Sequence, residues 1–136
     1  MKKLVFALFV FALTLQATSC KKKECPAPEK LTQKEILAKT VWDYYKLEAY
    51  DANGNLQNSM NLNYEVVFAV NGIYTIYDNN GNLHSQGTWQ LNKDYDNEYI
   101  IIDNTSYSID KLTEKDFIFY KEDPNGKRVA YMRPKN

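Results

Sequence analysis

Strict alternation of apolar or small residues with polar residues from Leu83 to Leu91 constrains the fold more than any other feature. This segment reads Leu-His-Ser-Gln-Gly-Thr-Trp-Gln-Leu. Alternation at every residue is typical of a strand with one dry face and one wet face. The β-branched and aromatic run 73–77 precedes it, and Asp-Asn-Asn-Gly at 78–81 joins the two. Residues 72–91 are therefore predicted to form a β-hairpin.

Short segments of the same kind recur along the chain, separated by polar turns. A spacing of roughly 8 to 12 residues is typical of an all-β barrel or sandwich. No helical pattern between them is long enough for a parallel crossover, so the sheet is predicted to be an antiparallel meander. One short helix is predicted at 33–39, because Thr32 and Glu35 form a capping-box pattern. Eight strands are predicted, at 41–50, 60–69, 73–77, 82–91, 98–102, 105–111, 116–121 and 127–133.

Three of the turns share the formula Asp-x-Asn-Gly, beginning at Asp51, Asp78 and Asp123. The formula fits a type I turn followed by a left-handed glycine that makes a bulge. A calcium loop is the functional alternative, but calcium needs several carboxylates at fixed positions. Each of these turns supplies one carboxylate, so turn chemistry is the favoured interpretation.

The turns also predict which side chains point into the barrel. A two-residue turn at Asn71-Gly72 and a bulged turn that pairs Asp78 with Asn82 place one set of side chains together, since directly opposed residues share a face. This predicted inward face comprises Tyr64, Val66, Phe68, Val70, Ile73, Thr75, Tyr77, Leu83, Ser85, Gly87, Trp89 and Leu91. The opposite face carries three apolar residues, which form either an exposed interaction patch or a seat for the helix: Val67, Tyr74 and Ile76.

Two further turns extend this prediction to the second half of the chain. Pairing Asp123 with Lys127 places Phe117, Phe119, Val129 and Tyr131 on one face. A two-residue turn at 103–104 pairs residue 102 with residue 105. The segment 41–50 has aromatic residues at both odd and even positions, so its inward face stays undecided.

The N-terminus predicts export and lipidation. Lys2 and Lys3 precede the apolar run 4–15, which is too short to span a bilayer and is typical of a secretory signal. Residues 17–20, Ala-Thr-Ser-Cys, resemble the lipobox of bacterial lipoproteins, in which the cysteine is acylated. The predicted organisation is a lipoprotein signal peptide at 1–19, a lipidated Cys20 with a flexible tether at 20–31, and a barrel domain at 32–136. Cys25 lies in the tether, so no disulfide is predicted within the mature chain.

Charge and motifs argue against several function classes. The mature chain has 15 basic and 17 acidic residues, a balance that gives no electrostatic case for nucleic acid. His84 is the single histidine, so neither a zinc site nor a catalytic triad is indicated. Asp43 and Glu48 are five residues apart on one strand and are predicted to face opposite sides, which argues against a glycosidase pair. No enzyme activity, metal or cofactor is therefore predicted.

Once the strands are placed, the chain resembles the lipocalin-like lipoproteins of the Bacteroidota over residues 33–133. The matching features are a helix leading into Trp42, then Phe68, Gly72 and Tyr74, and the Gly-Thr-Trp run at 87–89. An aliphatic strand at 100–102 and the Leu-Thr step at 112–113 follow. Lipocalins begin their first strand with Gly-x-Trp, whereas Thr40 stands in the glycine position here.

The resemblance implies an eight-stranded meander barrel that is closed at one end by the helix. Barrels of this kind often hold a small apolar molecule, and the candidate lining is Phe68, Tyr77, Trp89, Tyr107, Phe119 and Tyr131. The first hypothesis is a lipid-anchored binding module for a small apolar or aromatic ligand. The alternative is a protein-interaction lipoprotein with a filled core, such as an inhibitor, immunity or envelope-assembly factor. Because lysines follow Cys20, the protein is expected at the outer membrane facing the periplasm.

Overall fold

The computed structural model describes residues 30–136, which form one closed antiparallel barrel of eight strands with a single short helix at its N-terminal side. Each strand pairs with the next along the chain, and the last pairs with the first. The predicted fold class is therefore confirmed. The elements are α1 (Gln33–Lys39), β1 (Val41–Asp51), β2 (Leu56–Phe68), β3 (Ile73–Tyr77), β4 (Leu83–Asp94), β5 (Asn97–Ile102), β6 (Thr105–Leu112), β7 (Phe117–Asp123) and β8 (Gly126–Pro134).

Helix α1 begins with the predicted capping box. The Thr32 backbone N–H donates to Glu35 Oε2 at 2.9 Å, and the Glu35 backbone N–H donates to Thr32 Oγ1 at 3.3 Å. Leu37 is completely buried, and Trp42 Nε1 donates to its carbonyl oxygen at 3.2 Å. The helix therefore packs at the barrel end where β1 starts, called the helix end below. The opposite end carries the β1–β2, β3–β4, β5–β6 and β7–β8 turns and is called the turn end.

Two of the predicted turns have the expected register. The Asp78 N–H donates to the Asn82 carbonyl oxygen at 2.9 Å, and Tyr77 lies opposite Leu83. At the β5–β6 turn, Asp103 and Asn104 have left-handed φ angles of 46° and 63°, and Ile102 pairs with Thr105. Left-handed φ at both central residues is the geometry of a type I′ hairpin turn, which Asp and Asn tolerate.

The predicted two-residue turn at Asn71-Gly72 is wrong by one residue. The Ala69 N–H donates to the Ile73 carbonyl oxygen at 2.8 Å, and Gly72 has a φ of +85°, so the loop has three residues. A one-residue slip moves every side chain of a strand to the other face. Tyr74 and Ile76 therefore point into the barrel, whereas Ile73, Thr75 and Tyr77, which were predicted inside, lie outside.

A β-bulge in β4 corrects the slip for the rest of the hairpin. Ser85 pairs with Ile76 and Leu83 pairs with Tyr77, which leaves His84 as the extra residue. Ser85 and Trp89 consequently point inward as predicted, and Leu83 points outward with 64% of its surface exposed. The prediction for Leu83 is wrong because the bulge separates it from the alternation that follows.

The β7–β8 turn is also one residue shorter than predicted. Asp123 pairs with Gly126, so only Pro124 and Asn125 form the loop. Phe117 and Phe119 therefore lie opposite Met132 and Ala130 in the interior, and Val129 and Tyr131 lie on the outer face. Gly126 has a φ of +148°, and a Cβ there would lie 1.9 Å from the Tyr50 carbonyl oxygen. This glycine permits close approach of two strands and is not the left-handed residue of a turn.

A bulge at Tyr45 explains why the inward face of β1 stays undecided in the sequence. Tyr44 pairs with Met132, but Lys46 pairs with Tyr131, so Tyr45 is extra relative to β8. Trp42 and Tyr44 point inward before the bulge, and Leu47 points inward after it. Even-numbered residues of β1 therefore point inward before the bulge and odd-numbered residues point inward after it. The same bulge places Asp43 and Glu48 together on the outer face, so the prediction that they face opposite sides is wrong.

The helix-end half of the barrel is filled by large side chains. Trp42 packs against Phe117 with ring centroids 5.6 Å apart, and Phe68 contacts Phe117 at 5.9 Å and Trp89 at 5.4 Å. Offset and edge contacts at these distances are favourable for aromatic rings. The largest fully buried side chains of the described chain are Trp42, Phe68, Phe117, Leu37, Ile100 and Val66.

Candidate ligand-binding cavity

The interior toward the turn end is not filled and contains a cavity of about 260 Å³. Its wall is formed by inward-pointing side chains of seven strands, because each strand presents alternate residues to the interior. The small side chain of Ala130, between larger neighbours on β8, leaves part of this space open. The lining residues are Tyr44, Leu47, Val66, Phe68, Tyr74, Ile76, Ile102, Tyr107, Phe119, Arg128, Ala130 and Met132.

Two larger concavities lie outside the barrel wall. One, of about 590 Å³, follows the outer faces of β7 and β8 near Pro124, and the other, of about 570 Å³, lies between residues 30–36 and the β6–β7 turn. Small-molecule sites are usually concave and mostly apolar, with a few polar groups. The interior cavity fits that description best because the core itself forms its wall.

Two tyrosine hydroxyls supply polar groups inside the cavity. Burial raises the pKa of Tyr44 to about 12, and the neighbouring Tyr107 adds to the effect. Tyr107 is held edge-on against Phe119, with ring centroids 5.5 Å apart. Within residues 30–136 no hydrogen bond engages the hydroxyl of Tyr44 or Tyr107. The raised pKa keeps the Tyr44 phenol neutral at physiological pH. Both hydroxyls are available to donate to a ligand or to accept from it.

A third tyrosine of the wall is held by an aspartate from the turn end. The Tyr74 hydroxyl donates to Asp103 Oδ2 at 2.5 Å, and the Thr88 N–H donates to Asp103 Oδ1 at 2.9 Å. These two bonds lower the pKa of Asp103, and burial and Asp103 raise the pKa of Tyr74. A Cβ at Gly87 would lie 2.2 Å from Asp103 Oδ1, so this strand position needs glycine to admit the carboxylate.

One charged residue stands at the turn-end mouth of the cavity. Arg128 contributes to the lining, but 62% of its side chain is exposed and its guanidinium lies 3.8 Å from Asp123. Long cationic side chains commonly place their stems on apolar surface while the charged group stays in water. The mouth therefore carries the Arg128–Asp123 ion pair, whereas the other lining residues of the cavity are uncharged side chains.

The structure brings together three of the six predicted lining residues, Phe68, Tyr107 and Phe119. Trp89 is buried in the core instead, where its Nε1 donates to the Ala69 carbonyl oxygen at 2.9 Å. Tyr77 and Tyr131 lie on the outer face, so the prediction that they line the interior is wrong. The cause is that the β2–β3 loop is one residue longer than predicted and the β7–β8 loop is one residue shorter.

The predicted interaction patch is wrong for the same reason. Tyr74 is only 7% exposed and Ile76 lines the cavity, whereas Val67 lies on the outer face opposite Thr75. Sequence reasoning missed Tyr44 and Tyr74 as wall residues. For Tyr74 the available signal was the Asn-Gly pair at 71–72, which occurs in three-residue loops elsewhere in this chain.

A second group of tyrosines lies outside the barrel, around Glu48. Its Oε2 accepts from the hydroxyls of Tyr131 at 2.6 Å and Tyr50 at 2.7 Å, and Lys46 Nζ lies 3.1 Å from Oε1. Hydrogen bonds from Tyr131 and Tyr50 lower the pKa of Glu48 to about 2. Lys46 also lies over the Tyr131 ring, 4.1 Å from its centroid. This cluster ties β1 to β8 across the closure of the barrel.

Compared with models of known protein families and with curated proteins, the sequence shows no significant match. Between residues 30 and 136, no helix has both the length and the apolar character needed to cross a bilayer. Nor does this part of the chain bring three His, Cys, Asp or Glu side chains together as a metal site. The predicted signal peptide, Cys20, Cys25 and most of the tether lie outside the described residues.

Proposed function

We propose that this protein is a lipocalin-like lipoprotein that binds a small apolar or aromatic ligand inside its barrel. The observation that carries the proposal is the interior cavity of about 260 Å³ with its aromatic wall. Cys20 would carry the lipid anchor, and the barrel would face the periplasm from the outer membrane. The cavity supplies an apolar wall and tyrosine hydroxyl groups for hydrogen bonds, and these are the features that a non-enzymatic binding role requires.

The volume of the cavity limits the size of the ligand. A cavity of about 150 Å³ holds benzene, and pockets for drug-sized ligands begin at about 300 Å³. At about 260 Å³ the cavity suits a compact molecule of one or two rings rather than an extended acyl chain.

The phenols of the wall limit its chemistry. Tyr44 and Tyr107 present hydroxyl groups to the cavity, and Arg128 lies at its mouth. Buried polar groups are stable when they are hydrogen-bonded. We therefore expect an aromatic ligand with at least one hydrogen-bonding substituent.

Filling the cavity tests this function. Indole and 2-naphthol serve as probes in titration calorimetry on the full chain, and native mass spectrometry after gentle extraction detects a ligand that co-purifies. Ala130→Leu adds volume to the wall, so we expect it to weaken probe binding at least tenfold. Ala52→Leu, in an exposed turn, is the matched control and should leave binding unchanged. Equal affinity in the two variants, or no probe binding by the parent chain, would contradict the proposal.

The lipid anchor is tested separately. We expect Cys20→Ala to remove an acyl mass from the N-terminal peptide and to release the protein from the membrane fraction. Cys25→Ala, five residues away, should do neither. Retention of Cys20→Ala in the membrane fraction with an unchanged acyl mass would contradict acylation at Cys20. Protease treatment of intact cells then tests orientation, because a periplasmic barrel stays protected until the outer membrane is opened.

A further inference from the structure

Among the described residues that line the interior cavity, Arg128 alone carries a charge. Alternation along β8 brings it there, because Arg128, Ala130 and Met132 share the inward face of that strand. Tyr44 lies opposite Met132, toward the filled half of the barrel. Four residues of strand, or about 13 Å, separate Met132 from Arg128. The cavity therefore lies between Tyr44 toward the filled half and Arg128 at the mouth.

The Arg128 guanidinium has hydrogen-bonding capacity that the barrel does not use. Its Nη2 lies 3.8 Å from Asp123 Oδ2, a separation that gives ionic attraction but is too long for a hydrogen bond. Within residues 30–136 no hydrogen bond takes up an N–H of this side chain. Asp123 lines the outer concavity along β7 and β8 and does not line the interior cavity. A guanidinium has five N–H donors, so an anion at the cavity mouth can bind to those that Asp123 leaves free.

The polar groups around the cavity favour a ligand with hydrogen-bond acceptors. A guanidinium only donates, whereas a phenol both donates and accepts. Asp103, behind the wall, already accepts from the Tyr74 hydroxyl and the Thr88 N–H. No lining residue of the described chain supplies a carboxylate. A ligand carboxylate would therefore meet a cationic donor without an opposing anion in the wall, whereas a cationic ligand would meet a like charge.

We infer that the ligand of this cavity is a small aromatic carboxylic acid, with its ring system in the apolar part and its carboxylate on Arg128. Planar carboxylate and guanidinium groups bind through two parallel hydrogen bonds, which fix orientation as well as adding affinity. The inference rests on the proposed function, since it names the chemical class of ligand for the same cavity. Arg128 is then the residue that selects acids over neutral aromatic molecules. Because its side chain is 62% exposed, water and salt weaken the contact, and we expect a selectivity of about five- to tenfold.

Titration calorimetry with 2-naphthoate and 2-naphthamide tests the inference, because the two probes share a shape and differ in charge at neutral pH. For the parent full chain we expect the Kd of the amide to exceed that of the acid by about fivefold or more. In Arg128→Gln this ratio should fall to about one. Lys127→Gln removes the same charge from the neighbouring position on the outer face. It is the matched control and should keep the parent ratio.

Asp123 offers a variant with the opposite effect. Its Oδ2 is paired with Arg128, and its Oδ1 accepts from the Asn125 N–H at 3.0 Å. Asp123→Asn keeps an oxygen for the turn and removes the competing charge, so we expect tighter binding of 2-naphthoate and a larger ratio. Arg128→Lys keeps the charge but loses the planar fork, and its ratio should lie between those of the parent chain and Arg128→Gln. Circular dichroism measures whether each variant is folded.

The outcomes separate the inference from the proposed function. Equal affinity of the parent chain for acid and amide, or a preference for the acid that survives in folded Arg128→Gln, would overturn the inference, although binding of the amide would still support an interior site. An equal loss of preference in Lys127→Gln would also overturn it, because net charge would then explain the effect. If Arg128→Gln does not fold, an unchanged ratio in Asp123→Asn overturns the inference instead. If none of 2-naphthoate, 2-naphthamide and 2-naphthol binds, the proposed function fails and the inference fails with it.

Discussion

Gly87 is a position where the identity of one residue decides the local packing. Its backbone lies under the carboxylate of Asp103, which reaches from the β5–β6 turn to the Tyr74 hydroxyl and the Thr88 N–H. The glycine of the Gly-Thr-Trp run therefore has a packing role. It makes room for Asp103, which links the β5–β6 turn to β3 and β4. The sequence shows the glycine, but the aspartate it accommodates is 16 residues away.

We predict that Gly87→Ala lowers the free energy of unfolding by about 1–3 kcal/mol, because overpacking in a well-packed site has that cost. In an Asp103→Gly background the clash is absent, and alanine is favoured over glycine in a strand by about 0.5–1 kcal/mol. The effect of Gly87→Ala should therefore change sign between the two backgrounds. Urea denaturation of the four variants measures it, and equal destabilisation in both backgrounds would contradict the explanation.

Glu48 should make the stability of the barrel depend on pH. Its folded pKa of about 2 lies below the ordinary value of 4.5, so its contribution is present above pH 4.5 and is lost as pH falls toward 2. We expect Glu48→Gln to be less stable than the parent chain at pH 7. The difference should shrink progressively below pH 4.5, because the parent carboxylate is then losing its ionised form.

Urea denaturation at pH 7, 4.5 and 3 measures this difference. Glu114→Gln, at an exposed position in the β6–β7 turn, is the matched control and should follow the parent chain at every pH. A stability difference between Glu48→Gln and the parent that stays constant down to pH 3 would show that the loss has another cause.

At the scale of the elements, the sequence predicts the helix and all eight strands. It does not predict which face of each strand points into the barrel. Alternation and turn residues are local signals, so they locate strands well. The face that a strand turns inward depends on loop length. The glycine of Asn-Gly lies inside three-residue loops at Gly54 and Gly81, but Gly126 is already the first paired residue of β8. Each difference of one residue reverses a whole strand.

The helix should contribute stability mainly through one side chain. Leu37 is fully buried at the helix end, whereas Leu83 is 64% exposed. We predict that Leu37→Ala lowers the free energy of unfolding by about 2–5 kcal/mol, as is usual for a buried leucine. Leu83→Ala should change it by less than about 0.5 kcal/mol. Thermal or urea denaturation measures both variants. A comparable loss of unfolding free energy in the two would show that packing of the helix against the core does not stabilise the barrel.

At the scale of the whole molecule, the interior divides into a filled half and an open half. Aromatic content and the lipocalin-like pattern predicted an aromatic interior, and Phe68, Tyr107 and Phe119 do line the cavity. Tyr44 and Tyr74 could not be assigned, because their facing follows from the bulge at Tyr45 and from the length of the β2–β3 loop. A bulge depends on strand partners that are distant in sequence, so a local pattern does not reveal it.

This division predicts that stability and ligand affinity can be changed independently. Ile100 is fully buried in the core, so Ile100→Ala should cost about 2–5 kcal/mol of stability, with probe affinity changed less than twofold. Tyr107→Phe removes a hydroxyl from the cavity wall and should weaken binding of 2-naphthol several-fold, with stability nearly unchanged. Denaturation and calorimetry on both variants measure the two effects. A parallel loss of stability and affinity in each variant would contradict a divided interior.

The pairing of β1 with β8 has a consequence for how the chain folds. Asp43 and Arg133 are joined across this seam by an ion pair at 2.9 Å, although 90 residues separate them. Contacts between residues so distant in sequence require a large loss of loop entropy, so they form slowly. During synthesis β1 is made long before β8, and one side of β1 remains unpaired until β8 has been made. The Glu48 cluster and this ion pair are therefore late interactions, and their loss should accelerate unfolding more than it slows folding.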